Sequence, residues 1–223
     1  TRGRHRPDRR WPSAPGRASQ EGRVIGLAVI LGSAGTRERA GRSLPARFFQ
    51  RPADVVAREL IGAVIEVRTG RTVVRGRIVE TEAYFGVDDP ASHAFAHRRY
   101  AGNASVYAPP GTWYVYRSYG IHWCANLTAG GRPTAAVVLL RAVEPLEGLG
   151  LMRRRRGRVA DRILANGPGK LCQALGIDRR LDGRLMQRSW VRVVAGALVP
   201  NVEVTPRIGI SRAVGWPLRF VAD

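Results

Sequence analysis

Residues 77–84, Arg-Ile-Val-Glu-Thr-Glu-Ala-Tyr, constrain this chain more than any other stretch. Read as a β-strand, the segment places Glu80, Glu82 and Tyr84 together on one face. Two carboxylates and a ring on one face of an otherwise apolar strand are costly to bury without a purpose. Asp88, Asp89 and His93 follow at short range, so acids, a ring and an imidazole are gathered within one supersecondary unit. A carboxylate beside flat aromatic surfaces suits hydrolysis of a bond to a flat, stackable group.

The charge narrows the partner. Lysine and arginine number 37 against 17 aspartates and glutamates, a formal net charge of +20, which favours a polyanion such as nucleic acid or an anionic membrane surface. Lys170 is the only lysine, so a bias toward arginine inflates the count; it does not account for the excess of basic over acidic residues. Two cysteines, Cys124 and Cys172, cannot build a disulfide framework, and a reducing, intracellular setting is expected.

Composition divides the chain near residue 43. Residues 1–43 carry ten arginines against three acids, so seven of the net positive charges lie there and thirteen in the remainder. This head reads as a basic, disordered extension, with the folded domain over 44–223. Within it, Val24–Leu31 is apolar after a basic stretch, and a secretion signal is the weaker alternative. No other run approaches the roughly 20 apolar residues of a membrane-spanning helix, so no membrane association is expected.

From Ser43 onward, a helix is expected over Pro52–Ile61 with Gly62 as its stop. Strands are expected at Ala63–Arg68 and Val73–Tyr84, and an ordered loop with some helix over His93–Pro110. Thr112–Ser118 and Ile121–Leu127 form a hairpin turning at Tyr119-Gly120. Ala135–Val143 reads as a buried strand, Leu146–Arg156 and Lys170–Leu175 as helices, and Trp190–Val194 and Arg207–Ile210 as late strands. This non-alternating order with hairpins points to an α+β fold and not to a doubly wound parallel sheet. In that hairpin, Tyr114 and Tyr116 share a face, and packing of the sheet accounts for Tyr114. Tyr119 at the tip has little core to fill; backed by arginines, it is the kind of wedge that enters a base stack.

Five blocks, RGRIVETEAY (75–84), DPASHA (89–94), PPGTWYVYRSYGIHWCAN (109–126), AAVVLLRAVEPLEG (135–148) and GPGKLCQALGI (167–177), stand in an order that resembles the alkyladenine (3-methyladenine) DNA glycosylase family. RFFQRPADVVARELIG (47–62) and PRIGISRAVGWPLRF (206–220) resemble it too, so the likeness spans Ser43 to Phe220. The resemblance implies a single compact domain around a curved antiparallel sheet with peripheral helices and a protruding hairpin, acting in a cytoplasmic, nucleoid-associated setting. It implies excision of damaged purines from double-stranded DNA by hydrolysis of the N-glycosidic bond. It implies that Glu82 activates a water and that Tyr84, His93 and Tyr116 hold the flipped base between rings. Tyr119 would fill the gap left in the duplex, Asn126 would discriminate against the exocyclic amine of guanine, and Arg141 would lie near the catalytic water. The lesion class is 3-methyladenine, 7-methylguanine, hypoxanthine and ethenoadenine, with no lyase step, no cofactor and a monomeric enzyme. The physics is compatible: extrusion costs a few kcal/mol and stacking returns about 1–3 kcal/mol per base.

Other readings are weaker. Glu80 and Glu82 lie about 7 Å apart along a strand, which invites a two-carboxylate glycosidase, but a structural partnership of Glu80 with an arginine is preferred. His93 with His97, and His122 with Cys124, have metal-like spacing without third and fourth ligands, so no metal is expected. Lys170, in a helix start remote from the site, is a poor Schiff-base nucleophile. A damaged-DNA-binding protein without activity would not need Glu82 among rings, and a hydrolase of free nucleosides or sugars would gain nothing from the charge or the tip tyrosine. Residues 96–108 depart from the family's Gly-x-Thr-x-x-Asn and Met-Phe-Gly-Pro pattern beside the pocket, which is expected to alter substrate range. The chain stops at Asp223 soon after the last block, and a missing final strand would cost stability or one edge of the sheet.

Overall fold

The protein is described here as a computed structural model covering residues 41–131 and 134–223. The apolar run at 24–31 and nearly all of the basic head lie outside the described residues.

Pro45 and Pro52 each open a short helix, α1 (Ala46–Phe49) and α2 (Ala53–Glu59), as expected of a residue that presets helical φ and whose missing N–H costs nothing there. Val56, Ala57 and Leu60 turn inward, and the chain leaves α2 through Gly62 at φ +90, where a Cβ would lie 2.2 Å from the Ala197 carbonyl oxygen. The strands are β1 (Val64–Thr69), β2 (Thr72–Tyr84), β3 (Trp113–Ser118), β4 (His122–Ala129) and β5 (Ala136–Glu147). Two helices follow, α3 (Leu149–Arg156) and α4 (Pro168–Leu175), then β6 (Val191–Val194), β7 (Val202–Thr205) and β8 (Arg219–Ala222). One antiparallel sheet runs β3-β4-β5-β2-β1-β6, with β8 beside the C-terminal half of β2 and β7 beyond it. The fold is the expected mixed α+β domain on a curled antiparallel sheet, with β3 and β4 forming the hairpin.

The core lies on one face of this sheet. Trp113, Leu127, Leu140 and Ile78 meet Phe49 and Leu60 from the first helices and Leu171 and Leu175 from α4. Thr81 on β2 donates to the Ala57 carbonyl at 2.9 Å and ties the strand to α2.

The opposite face carries the polar residues, for a reason that simple alternation does not supply. Ile78, Glu80, Glu82 and Tyr84 are all even-numbered, so an unbroken period of two would put them together. Instead the β2–β5 pairing is irregular around Glu80 and Ala142. Both strands change parity there: Ile78 and Val143 face the core, and three residues away so do Thr81 and Leu140. The break falls where the edge partner of β2 changes from β1 to β8. A β-bulge of this kind re-aims side chains beside functional sites. Here it separates Ile78 from Glu80, Glu82 and Tyr84.

Two expected elements differ. β5 continues to Glu147, so the helix expected from Leu146 begins at Leu149, after Gly148 at φ +82. Arg207–Ile210 is not a strand: after Pro206 the Arg207 side chain turns inward to Asp89, and Gly209 adopts φ +74. Strand pairing falls instead to β7 and β8 on either side of this segment.

Candidate active site

Glu82, Leu139, Asn126 and Tyr114 are successive cross-strand partners on β2, β5, β4 and β3, and they form one transverse row on the polar face. Above this row opens a groove of about 1270 Å³, walled by the 90–106 loop, the β3–β4 hairpin and residues 208–212. Tyr84, His93, Tyr116, Asn126, Arg141 and Tyr119 all line it.

Glu82 itself is completely buried, one layer beneath that lining. One carboxylate oxygen accepts the Tyr84 hydroxyl at 2.8 Å. The other accepts the Ile208 backbone N–H at 2.7 Å and lies 3.3 Å from an Arg141 guanidinium nitrogen. A carboxylate offers about four lone-pair positions, so three donors fix its orientation and leave room for about one more. Burial, together with the Glu82 charge and hydrogen bond, pushes the Tyr84 hydroxyl well above its usual range and keeps it a donor.

Glu80 has the structural partnership expected of it. Its carboxylate accepts from Arg141 at 2.8 Å and from Arg219 at 2.6 Å. Burial would raise its pKa, but the hydrogen bonds and charges of Arg219 and Arg141 prevail and hold it below the usual carboxylate range. Burial works against the Arg141 charge, and the Glu82 and Glu80 carboxylates more than compensate, so Arg141 is a fixed cation.

The rings are arranged unevenly. Tyr114 and Tyr116 stack with centroids 5.3 Å apart and 24° between planes. His93 meets Tyr116 edge to face at 4.5 Å and 72°, so these two are not parallel walls, and a flat group entering between them requires one ring to turn. His93 Nδ1 lies 2.7 Å from the Tyr114 hydroxyl, and burial first, with the Arg98 charge second, favours the neutral imidazole. The Asn126 amide nitrogen donates to the carbonyls of Tyr114 at 3.1 Å and Cys124 at 3.5 Å, which fixes that side chain in the groove floor.

At the hairpin tip, Tyr119 is 89% exposed and adopts φ +49, with Gly120 at φ +67. Ile121 N–H donates to the Ser118 carbonyl at 3.0 Å and closes a two-residue turn with both central residues left-handed, the geometry that Asn-Gly ordinarily occupies. A bulky residue held there without packing is a strained feature of the kind that accompanies function. Arg98, Arg117, Arg179 and Arg212 along the groove make its rim basic.

Among the described residues, no group of three or more His, Cys, Asp or Glu is placed to hold a metal ion. Cys124 is buried in the groove floor, and Lys170 bonds Asn166 at 2.9 Å away from the groove lining. Among the described residues no helix is long and apolar enough to cross a membrane.

Four residues, Asp89, Arg207, Ile208 and Tyr100, contribute to the site in ways that carry no local sequence signal. Asp89 and Arg207 form a fully buried ion pair under Tyr84; 118 positions separate them, and nothing local in either segment announces the pairing. Ile208 acts through its backbone N–H, which carries no side-chain signature. Tyr100, in the divergent loop, is a further groove ring, its centroid 6.5 Å from that of His93; a lone aromatic in an aperiodic segment gives no positional signal.

The pattern of the methylpurine-DNA glycosylase family matches residues 47–223 of this chain. The chain is similar to a protein of Agrobacterium fabrum, at 48% identity over 177 residues, covering 79% of this chain and 87% of the relative. It is likewise similar to one of Rhodopseudomonas palustris strain BisB5, at 42% identity over 188 residues, covering 84% and 90%. Each relative carries the inferred designation 3-methyladenine DNA glycosylase.

Proposed function

The chain belongs to the methylpurine-DNA glycosylase family, hydrolases of N-glycosidic bonds in DNA, and on that premise we propose that it flips damaged purines out of duplex DNA and excises them by a single hydrolytic step. The observation that carries the proposal is Glu82, buried under an aromatic groove and oriented by Tyr84, Ile208 and Arg141. A base cannot be excised while stacked. Tyr119 enters the duplex and replaces the departing nucleotide, while Arg98, Arg117, Arg179 and Arg212 hold the phosphates. The extruded purine stacks on Tyr84, Tyr116 and His93, with Asn126 at the floor.

Bond cleavage follows from the charges. As the N9–C1′ bond breaks, its electron pair leaves with the purine and positive charge develops on the sugar, where the Glu82 carboxylate stabilises it. A water on the remaining acceptor position of Glu82 attacks C1′ and gives its proton to that carboxylate, leaving an abasic site. Arg141 keeps the carboxylate placed. Purines alkylated on a ring nitrogen leave as neutral bases, so 3-methyladenine and 7-methylguanine are the readiest substrates; hypoxanthine and ethenoadenine leave as anions that take a proton from water. With Lys170 outside the groove lining, no amine among the described residues is placed to attack the sugar, and the reaction ends without strand cleavage. The protein acts as a monomer, with one groove per chain, on the DNA of the nucleoid.

One observation favours a second reading, binding of damaged DNA without chemistry: no part of Glu82 reaches solvent. Base release from methylated duplex DNA, scored as alkali-labile breaks for the wild type and Glu82→Gln, separates the two. Release by the wild type and none by the variant supports the enzyme. Equal binding with no release by either supports the recognition protein. A borohydride-trapped enzyme–DNA adduct would refute the single hydrolytic step.

A further inference from the structure

We propose that Arg207 is a positioning residue that sets how strongly the site prefers a positively charged purine over a neutral one of the same shape; this rests on the functional reading above. Its side chain is fully buried against Asp89, with guanidinium nitrogens 2.5 and 3.0 Å from the two carboxylate oxygens and 3.0 Å from the Ala83 carbonyl. The guanidinium carbon lies 4.4 Å from the centre of the Tyr84 ring and 5.9 Å from that of Trp216. Its Nε finds no hydrogen-bond acceptor among the described residues, so the remaining face of the cation is committed to aromatic surface.

An aromatic face attracts cations through its electron-rich quadrupole, and a cation already seated on one face draws density away from the other. Tyr84 therefore meets the groove with one face already polarised. Asp89 cancels the far field of the guanidinium, which confines the effect to the ring that Arg207 touches. A purine methylated on a ring nitrogen carries a full positive charge and loses stacking attraction on such a ring. Hypoxanthine, a neutral bicycle of the same size, loses almost none. Arg207 thus narrows the gap between charged and neutral lesions and broadens the substrate range. The adjacent Ile208 N–H, held on Glu82 at 2.7 Å, serves both lesions equally, so a purely structural defect at Arg207 lowers both rates in step.

The test is single-turnover base release, together with duplex affinity by competition, for matched oligonucleotides carrying one 7-methylguanine or one hypoxanthine. The proteins are the wild type, the double variant Asp89→Asn/Arg207→Gln, which replaces the ion pair by a neutral hydrogen-bonded pair, and Arg207→Lys, whose compact ammonium cannot lie flat on a ring. Far-UV circular dichroism and thermal melts establish which variants fold. The double variant is expected to raise the 7-methylguanine-to-hypoxanthine ratio by about threefold to tenfold, and Arg207→Lys by about twofold in the same direction. An unchanged ratio in a folded variant, with both rates falling together, overturns the proposal. A wild type that neither releases nor preferentially binds either lesion removes the functional reading and this inference with it.

Discussion

Replacing Tyr119 by asparagine should stabilise the protein and cripple its hold on DNA at the same time. Tyr119 sits at φ +49 and Gly120 at φ +67, so the turn needs a first residue that tolerates the left-handed region. Asparagine does so readily and tyrosine does not; the relief is worth about 1 kcal/mol. With 89% of its surface exposed, the tyrosine surrenders almost no packing when removed, so little offsets that gain. For a domain of this size the melting temperature should rise by about 2–4 °C. In the proposed complex with DNA the same ring would replace an extruded base, and loss of stacking would cost about 1–3 kcal/mol, or roughly 5- to 150-fold in affinity for a lesion-bearing duplex. The assays are a calorimetric melt and a titration of fluorescent duplex containing one damaged purine, with undamaged duplex as control. A variant that melts lower than the wild type would show that the tip is not strained. One that melts higher yet binds lesions as tightly would show that the strain serves something other than the duplex.

Three further outcomes follow from the same geometry. Asn126→Ala should remove the fixed amide that the Tyr114 and Cys124 carbonyls hold in the groove floor, and release of undamaged guanine from plasmid DNA should rise above background; a variant that still spares guanine would move the discrimination elsewhere. Stability should fall on acidification in two stages, because both His93 and Glu80 have folded pKa values below their ordinary ones. The unfolded chain then binds more protons, His93 contributing below about pH 6.5 and Glu80 below about pH 4.3, so melts across pH should lose the first stage in His93→Asn and the second in Glu80→Gln. Lesion affinity should fall steeply with salt, and reversing one rim charge such as Arg212→Glu should flatten that slope without altering lesion preference.

The chain shows which of these features a sequence can announce. Turn chemistry and long apolar runs placed the hairpin, the buried β5 and the N-terminal helix to within a few residues, because each is fixed by local preference. Arg207–Ile210 misled because the alternation of Ile208 and Ile210 mimics a strand, whereas the Arg207–Asp89 pair and Gly209 dictate an irregular crossing. The polar face of β2 was legible in composition but not in its cause: Ile78 is parted from Glu80 by a break that exists only because β1 gives way to β8 along that edge. Side chains that act alone, such as Tyr119, were visible as residues out of place. Contributors defined by pairing at long range or by backbone, Asp89 with Arg207 and the Ile208 N–H, depend on the folded topology and had no local trace.

The division of labour between the two acids of β2 follows from who holds Arg141. Glu80 receives two guanidinium groups, at 2.8 Å from Arg141 and 2.6 Å from Arg219, and so is neutralised from both sides. Glu82 shares Arg141 only at 3.3 Å, and its two shorter bonds come from a phenol and a peptide N–H, neither of which carries a charge. Neutral donors orient a carboxylate without cancelling its field, and in a dry site that field is felt strongly by a cation forming nearby. Had Arg141 gripped Glu82 in a close two-point pair, the net charge under the groove would be near zero and the sugar cation would gain little from it. Glu80 prevents this by drawing Arg141 toward itself, with Arg219 from β8 supplying the second counter-charge. The edge strand that breaks the alternation of β2 is therefore also the strand that leaves Glu82 only loosely paired with a cation, where the proposed chemistry needs it.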